Sequence, residues 1–401
     1  LFSGQGAQYP GMLLDLSCMF PEMLDAFEKA HQIQLKSRPE SSLMVDLVYP
    51  QTTFEPSETE QDLLRLQDTS NAQPALGVVE LGAMKVLSRF GIKPEMAAGH
   101  SFGELAALTC AGVLTDDQFL ALAFERGRCM AEASTGNGGM IAVLAPEKEV
   151  DTLFRANGIS LVAANRNTLS QIVYAGPVEQ VDRAEKILAS NGFKARKLQV
   201  GGAFHSPMVA DAQQPFRKFI ESNISWGQSG IPIYSNTTAS IYPAGKTDSI
   251  DVLSGQLAKS VGFFQMISTM HRDGATTFVE IGPGGRLSGL VSEILKGKKH
   301  LAISLDASQG KRPGEYDLAV LLCKLCSIGI NLNIAAWDDG EIDSQVEKPG
   351  FTVSLSGANY IRAKTEKVEP QPQAVLKTTP PKVTNDKVIE TKVETKGVSS
   401  I

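Results

Sequence analysis

The stretch EMAAGHSFGEL (95–105) contains the strongest structural signal in the chain. A short apolar run enters a turn at Gly99, and a helix-like segment follows from Glu104 to Ala111. Glycines on both sides of the turn permit a strained backbone that projects the Ser101 hydroxyl. The stretch therefore predicts a strand, a tight turn and a helix, in that order.

Segments on both sides of this turn extend the pattern. Residues 69–90 carry apolar side chains at helical spacing. Downstream, PIYSN (232–236) and TTFVEIG (276–282) predict further strands of the same body. The mixture of strands and helices from Leu1 to about Arg362 predicts the α/β class.

Residues 138–200 form a second unit with its own order of elements. The pattern predicts strand GMIAVLA (139–145), helix 147–157, strands ISLVAAN (159–165) and SQIVYAG (170–176), helix 177–191 and strand FKARKLQV (193–200). The order βαββαβ is that of a split βαβ, ferredoxin-like unit. We therefore expect a small subdomain inserted into a larger α/β body.

Composition limits the classes of protein that remain. The chain has 401 residues, 42% of them hydrophobic, and 44 acidic against 38 basic side chains give a net charge of −6. This balance argues against a nucleic-acid partner, because no basic excess exists to neutralise phosphates. No apolar run reaches the roughly 18 residues that span a bilayer, so we expect no membrane span. Five scattered cysteines predict no disulfide framework, and a reducing, cytoplasmic setting fits best.

The C-terminal segment differs in character from the rest of the chain. Residues 364–401 contain seven lysines, five acidic residues, four prolines and no aromatic residue. Such a segment buries too little apolar surface to offset its loss of conformational entropy, which predicts a disordered linker. A purification scar or a targeting tail is the alternative. The chain begins Leu-Phe-Ser-Gly without an initiator methionine, so we expect that it was excised from a longer protein.

A serine in this kind of turn is a candidate nucleophile. GHSFG (99–103) is a G-x-S-x-G pattern, and the N-terminus of the following helix offers free N–H groups to developing negative charge. The serine needs a base, and His205 in GGAFHSP (201–207) is favoured, because His100 adjoins Ser101 on a turn where neighbouring side chains diverge. An ordinary turn and a structural histidine remain the alternatives at this point.

Two other motifs predict structure rather than chemistry. Cys323 and Cys326 form a C-x-x-C inside an amphipathic segment without a second cysteine or histidine pair, which favours a helix core over a zinc or redox site. GPGG (282–285) contains a proline that removes a backbone donor, so it predicts a packed turn and not a phosphate cradle. The glycines at positions 4 and 6, and at positions 136 and 138, lack the third glycine of a G-x-G-x-x-G motif. We therefore predict no metal site and no dinucleotide site.

Six short motifs follow one another in a recognisable order. They are GQGAQ (4–8), GHSFGE (99–104), ERGRCM (125–130), AAN (163–165), GAFHS (202–206) and EIGPGG (280–285). In order and spacing they resemble the malonyl-CoA:acyl-carrier-protein transacylases and the acyltransferase domains of polyketide and fatty-acid synthases. The resemblance covers roughly residues 1–300. GHSFGELAAL, AISLDAS…GEYDLA (302–319) and FTVSLSGANY (351–360) most resemble the acyltransferases of polyunsaturated-fatty-acid synthases.

The resemblance implies a division of the chain into parts. An α/β-hydrolase-like large subdomain would comprise residues 1–131 and 201–300, and the inserted ferredoxin-like small subdomain would comprise residues 132–200. Residues 301–363 would form a C-terminal extension that packs on the body, before the linker at 364–401.

The resemblance also implies the catalytic groups. Ser101 matches the family nucleophile and His205 matches its base. The backbone N–H groups of Gln5 and Phe102 match the pair that forms the oxyanion hole. Backbone carbonyls near residues 259–263, rather than an acidic side chain, would orient the histidine.

Three further positions match residues that contact the substrate. Arg126 matches the arginine that binds the free carboxylate of malonyl, a task that suits its planar, permanently charged fork. Asn165 matches an asparagine near the pocket with a supporting role, and Phe204 matches a ring that crowds out an α-methyl group. Without the resemblance, Arg126 is interpreted as a solvated helix arginine and Glu104 as a carboxylate in the first turn of a helix.

Together these roles imply an acyltransferase that moves malonyl from malonyl-CoA to the phosphopantetheine thiol of an acyl carrier protein through an acyl-serine. No bound cofactor is expected. The partners would be the carrier protein, a ketosynthase and other domains of the same megasynthase. A serine hydrolase of the thioesterase or lipase type, an acyltransferase for acetyl or another acyl-CoA, and a non-catalytic scaffold remain as alternatives.

Overall fold

A computed structural model describes residues 1–53, 55–134 and 136–338 of the chain. Its α-helices are α1 Leu14–Met19, α2 Pro21–Ser37, α3 Met44–Val48, α4 Pro56–Gln67, α5 Thr69–Arg89, α6 Gly103–Cys110, α7 Asp116–Ala133, α8 Glu147–Ala156, α9 Val178–Ser190, α10 Gln213–Asn223, α11 Lys246–Gly255, α12 Phe263–Arg272, α13 Arg286–Ile294 and α14 Gly314–Ser327. Its strands are β1 Ala97–Ala98, β2 Gly138–Leu144, β3 Val162–Arg166, β4 Ile172–Pro177, β5 Lys194–Lys197, β6 Ile233–Tyr234, β7 Thr277–Glu280 and β8 Leu301–Ser304. Short 3₁₀ helices lie at Pro207–Ala212, Gln256–Ala258 and Ile334–Trp337. The predicted linker at 364–401 and the motif at 351–360 lie outside the described residues.

Parallel strands form the centre of the large subdomain. β1 pairs with β6, and β7 pairs with β8, both in parallel. Phe2 joins the two pairs, because it bridges in parallel to Gly99 after β1 and to Ile281 after β7. The chain segments that follow parallel strands emerge at one edge of a sheet. Gln5, Ser101 and Asn236 each follow one of these strand segments, so the fold brings them to the same edge.

Helices α5 and α7 pack against each other beside this sheet. The Asp68 side chain accepts the backbone N–H of Ser70 and begins α5, and Thr115 and Gln118 form a capping box that begins α7. The contact between the two helices brings Gln73 of α5 to Arg126 of α7.

Within the described residues, no helix combines the length and apolar character needed to cross a membrane.

The small subdomain is a four-stranded antiparallel sheet with the strand order β3-β4-β2-β5. Together with α8 and α9, this order is the ferredoxin-like arrangement of a βαββαβ unit. Its apolar core includes Ile141 and Val143 of β2, Phe154 of α8 and Val181 of α9. The edge strand β3 reaches the large subdomain through backbone hydrogen bonds with Val261.

Residues 301–338 pack on the large subdomain through β8 and α14. α14 buries Leu318, Leu321, Leu322 and Leu325, which recur at the i, i+3, i+4, i+7 spacing of one helix face. The prediction that the C-x-x-C cysteines form the helix core is wrong. The C-x-x-C pair lies on α14 but is exposed, because the four leucines already supply the whole apolar face.

Candidate active site

Ser101 occupies a strained turn between β1 and α6. Its φ of 53° lies in the left-handed region, which is costly for a residue with a side chain. Glycines make the turn possible: a Cβ on Gly99 would collide with the backbone of Gly103, and a Cβ on Gly103 would collide with the carbonyl oxygen of Phe2. This turn places the serine hydroxyl at the edge of the sheet where the loops that follow the parallel strands emerge.

His205 meets Ser101 across 104 positions of sequence. Its Nε2 lies 2.7 Å from the Ser101 Oγ, and its Nδ1 lies 3.0 Å and 3.1 Å from the carbonyl oxygens of Gln256 and Lys259. Burial and the nearby Arg126 charge lower the pKa of His205 to about 3. The imidazole is therefore neutral at pH 7, and its Nδ1–H donates to the carbonyls, which leaves Nε2 free to accept the serine proton.

Arg126 lies on the inner face of α7, and only 1% of it is exposed. Its described hydrogen-bond partners are neutral: Gln73 Oε1 at 2.8 Å, Gln256 Oε1 at 2.8 Å and Ser101 Oγ at 3.3 Å. Its Nε is buried and has no partner among the described residues. Burial lowers the pKa of Arg126 to about 10, so the group remains charged at pH 7.

The interpretation of Arg126 as a solvated helix arginine is therefore wrong. Arg128, two positions further along α7, fits that description, since it forms salt bridges with Glu125 and Glu132 near the surface. A separation of two residues places the two guanidinium groups on different faces of the helix.

The structure places Gln5 and Phe102 beside this centre. The Gln5 side chain donates to Thr69 Oγ1 over 3.0 Å and accepts from Gln73 Nε2 over 3.2 Å, which ties it to the partner of Arg126. The Phe102 ring is fully buried directly after Ser101. The backbone N–H groups of Gln5 and Phe102 make no hydrogen bond with any other described residue.

Asn165 and Phe204 belong to segments next to the centre, since Asn165 pairs with Val261, two residues after Lys259, and Phe204 precedes His205. Asn165 lies on β3 beside Val261, and its Oδ1 is buried with no partner among the described residues. Phe204 is buried next to His205, and a Cβ on Gly202 would lie 3.4 Å from its ring. No described hydrogen bond joins Asn165 to Ser101, His205 or Arg126.

His100 points away from the nucleophile. Its Nε2 lies 3.0 Å from Asn167 Oδ1 on the small subdomain, and its ring lies 5.5 Å from that of Phe263. The structure therefore agrees with the exclusion of His100 as the base.

Sequence reasoning missed three amide side chains at this site. Asn236 Oδ1 accepts the Ser101 N–H over 2.7 Å, and Gln256 Nε2 donates to the Ser101 carbonyl over 2.9 Å. Gln73 binds Arg126 from the other side. None of the three has a local signature in the sequence, since even Gln73 is one of several polar residues of α5, such as Glu80 and Lys85.

Glu104 lies in the first turn of α6, as its sequence interpretation has it. Its carboxylate is completely buried. Described donors to it come from Asn236, Tyr242 and Gln256. Burial raises the pKa of Glu104 to about 7, although these hydrogen bonds oppose the shift.

No group of three or more His, Cys, Asp or Glu side chains in the described part of the chain could hold a metal ion.

A strained serine beside a neutral histidine, in a G-x-S-x-G turn at the edge of a parallel sheet, defines a class of enzymes that includes serine hydrolases and acyltransferases. Residues 1–306 match the family described as acyl transferase domain. The chain belongs to this family. It is an acyltransferase with an α/β fold of large and small subdomains, as the sequence predicted.

The chain is similar in sequence to a transacylase and to part of a synthase subunit. Malonyl CoA-acyl carrier protein transacylase of Bacillus subtilis is 32% identical over 310 residues, which cover 76% of this chain and 92% of that protein. One subunit of the polyunsaturated fatty acid synthase of a Thraustochytrium species is 32% identical over 379 residues, which cover 92% of this chain. The chain spans only 13% of that synthase subunit's length.

Solved structures agree with these relatives. One is a type II polyketide synthase acyl-carrier protein in complex with its malonyl-transacylase. It matches with a TM-score of 0.69 and 28% identity, over 80% of this chain and 98% of that chain.

Proposed function

We propose that this acyltransferase moves a malonyl group from malonyl-CoA to the phosphopantetheine thiol of an acyl carrier protein. The observation that carries the proposal is Arg126, a buried guanidinium whose described partners are all neutral, 3.3 Å from the Ser101 Oγ. The Glu104 carboxylate acts on Arg126 only at longer range, because Gln256 lies between them, and a buried charge without a directly bonded counter-ion costs several kcal/mol. The free carboxylate of a malonyl thioester would supply that counter-ion while its carbonyl carbon lies at Ser101.

In the first half-reaction, the Ser101 Oγ attacks the thioester carbonyl while His205 Nε2 takes its proton. The tetrahedral oxyanion would be held by the backbone N–H groups of Gln5 and Phe102, which have no other described partner. The C–S bond then breaks, the CoA sulfur takes the proton from His205, and malonyl-Ser101 remains.

In the second half-reaction, the thiol of the carrier's phosphopantetheine gives its proton to His205 and attacks the ester carbonyl. The C–O bond to Ser101 breaks, and the serine oxygen recovers the proton. The complex of a carrier protein with its malonyl-transacylase, a relative in structure, supports a carrier as the acceptor. Within this proposal Asn165 and Phe204 line the acyl pocket, and no bound cofactor or metal takes part.

The similarity to a subunit of a polyunsaturated fatty acid synthase, of which this chain spans 13%, supports a setting inside a megasynthase. We propose a ketosynthase and carrier domains as its neighbours there. The proposed division is a large subdomain at 1–131 and 201–300, a small subdomain at 132–200, and an extension from 301 to 363. Five free cysteines are consistent with a reducing, cytoplasmic compartment.

A serine hydrolase and an acetyl-selective acyltransferase are the competing functions. Neither needs a cation for the distal end of the acyl group, so neither accounts for Arg126. Transfer to a carrier thiol with little release to water would separate a transferase from a hydrolase.

Intact-protein mass measured after parallel incubation with malonyl-, methylmalonyl- and acetyl-CoA tests the proposal. We expect one malonyl adduct on Ser101, which a holo carrier protein then removes. Exclusive acetylation, or no adduct with any of the three thioesters, would contradict it.

A further inference from the structure

Glu104 is a buried acid that the proposed reaction does not use. It lies in the first turn of α6, three residues after Ser101, and it is fully buried. Oε1 accepts from the backbone N–H and the Nδ2 of Asn236, and Oε2 accepts from Tyr242 OH and Gln256 Nε2. None of these described partners is positively charged, and the Arg126 guanidinium acts on Glu104 only from beyond the Gln256 side chain. An acid held only by neutral donors is costly to bury, so its retention calls for a physical reason.

The two amides that bind Glu104 also hold the backbone of the nucleophile from both sides. Asn236 Oδ1 accepts the Ser101 N–H, and Gln256 Nε2 donates to the Ser101 carbonyl. Ser101 needs this support because its backbone is in the left-handed region. The carboxylate thus acts on the strained turn through two side chains that come from distant parts of the chain.

A carboxylate fixes the direction in which each amide points. An ionised carboxylate only accepts hydrogen bonds, and a protonated one that donates to the Tyr242 hydroxyl still accepts from both amides, so in either state the amides turn their NH₂ groups towards Glu104. The oxygen of Gln256 is then left for Arg126 Nη2, at 2.8 Å, and the oxygen of Asn236 is left for Ser101. If Gln256 turned over, two donors would face each other at Arg126.

The same residue also reaches the base. The backbone oxygen of Gln256 accepts from His205 Nδ1 over 3.0 Å, while its side chain connects Glu104, Ser101 and Arg126. Glu104 is therefore hydrogen-bonded to Gln256, and Gln256 contacts Ser101, His205 and Arg126.

We propose that Glu104 is a positioning residue, whose carboxylate orients the Asn236 and Gln256 amides and thereby fixes Ser101, His205 and Arg126. The part of this inference that concerns Arg126 rests on the proposed malonyl transfer. The part that concerns Ser101 and His205 does not, since any reaction of the serine needs the same geometry.

The test compares Glu104→Gln with Glu280→Gln in the full chain. The introduced glutamine has nearly the same volume as Glu104 but presents an NH₂ group to the donors of Gln256 or Asn236. Glu280 is the matched control, because it is also fully buried but accepts from Leu287 and Ser288 at the start of α13. A fluorophosphonate probe reports on Ser101 and His205 without malonyl, and malonyl-CoA and acetyl-CoA report on Arg126.

We expect Glu104→Gln to lower the rate constant of fluorophosphonate labelling about tenfold. We also expect it to lower the ratio of malonyl to acetyl loading rates about tenfold, since displacement of a group by about 1 Å can cost 10²-fold in rate. Glu280→Gln should leave the labelling rate constant and the ratio unchanged. A purely structural role would lower the labelled fraction and the melting temperature of Glu104→Gln but not its rate constant, and that result would overturn the inference.

The readouts keep the two proposals apart. If the wild type labels with fluorophosphonate but never accepts malonyl, the proposed function fails, while slow labelling of Glu104→Gln would still support positioning of Ser101. If the wild type accepts malonyl and Glu104→Gln equals it in both readouts, only the role of Glu104 fails.

Discussion

The core of the small subdomain and the buried centre of the large subdomain are held together in different ways. Ile141, Val143, Phe154 and Val181 belong to a core that is apolar apart from the Tyr174 hydroxyl, which donates to Asp151. The centre around Ser101 instead buries charged and polar groups whose donors and acceptors must match one another. Burial of polar groups costs stability unless every partner is in place, so the second region is specified by geometry and the first by volume.

This difference predicts two kinds of mutational effect. Changes in the polar centre should abolish chemistry while the protein stays folded. Changes in the apolar core of the small subdomain should reduce the free energy of unfolding while the chemistry of the folded molecules persists. The following predictions are ordered by their expected effect on formation of the acyl-enzyme.

The largest effect is expected at Ser101 and His205. Ser101→Ala removes the proposed nucleophile, so no acyl adduct should be detected by intact-protein mass spectrometry. His205→Ala should slow adduct formation by about 10³-fold or more, because nothing else in the described centre can take the serine proton. Circular dichroism serves as the folding control. A malonyl adduct of undiminished yield on Ser101→Ala would move the nucleophile elsewhere and refute the mechanism.

The next effect separates the two arginines of α7. Arg126→Ala should slow malonyl loading by about 10²-fold or more, since it removes one partner of a buried charge pair. Loading of neutral acetyl should be preserved or improved. Arg126→Lys should restore malonyl loading only in part, because an ammonium cannot form the bidentate contact.

Arg128→Ala is the matched control for this comparison. It removes a guanidinium from the exposed face of the same helix, where its salt bridges contribute little. Both thioesters should load at wild-type rates. An equal loss of malonyl and acetyl loading in Arg126→Ala would make Arg126 structural and remove the main support for malonyl.

A smaller effect is expected from pH. Because the pKa of His205 is lowered to about 3, the base stays unprotonated as pH falls from about 8 to about 5.5. Glu104, whose pKa lies at about 7, becomes protonated in this range. The change is tolerated because the Tyr242 hydroxyl can rotate and accept a hydrogen bond from the protonated carboxyl group. Fluorophosphonate labelling should therefore change by less than about threefold across this range. A fall of about tenfold with a midpoint near the ordinary histidine pKa of about 6.5 would contradict this geometry.

The lowered pKa also has a consequence for stability. Between about pH 3 and the ordinary histidine value near 6.5, the unfolded chain binds a proton at His205 that the folded chain does not. The contribution of His205 to the free energy of unfolding therefore decreases as pH falls through this window. Comparison of denaturant midpoints for wild type and His205→Gln at about pH 7 and about pH 5 measures it, and the wild type should lose more stability than the variant.

The smallest effect on chemistry is expected in the small subdomain. Phe154→Ala should lower the free energy of unfolding by about 3–5 kcal/mol, because it leaves a cavity between α8 and the sheet. The labelling rate constant of the molecules that remain folded should stay within about twofold of the wild type. Denaturant unfolding and labelling below the midpoint provide the two numbers. A rate constant reduced as strongly as that of the site variants would show that the two regions are not separable.

The contrast also explains what the sequence could predict about the fold. Local periodicity predicts the small unit well: the helix predicted at 147–157 is observed at Glu147–Ala156, and the helix predicted at 177–191 is observed at Val178–Ser190. Periodicity overestimated the last strand, which spans only Lys194–Lys197. β2 continues to Gly138, but its pairing with β5 stops at Ile141, and the pattern within one strand does not record where pairing stops.

The site was predicted unevenly for a related reason. The Ser101 turn has a local signature, and His205 stood out as a histidine among glycines. Gln256 and Asn236 contact Ser101 from 155 and 135 positions away, so nothing beside them in the sequence indicates their role. The burial of Arg126 also depends on tertiary packing, which is why only the family resemblance singled it out.

The central claim is that Ser101 carries the acyl group while Arg126 selects an acyl group with a free carboxylate. It is tested most directly by mass spectrometry of the peptide that contains Ser101, after wild type and Arg126→Ala have each been incubated with an equal mixture of malonyl-CoA and acetyl-CoA. We predict a malonyl-Ser101 peptide in the wild type and an acetyl-Ser101 peptide in the variant. The same ratio of malonyl to acetyl in both proteins, or modification of another peptide, would contradict the claim.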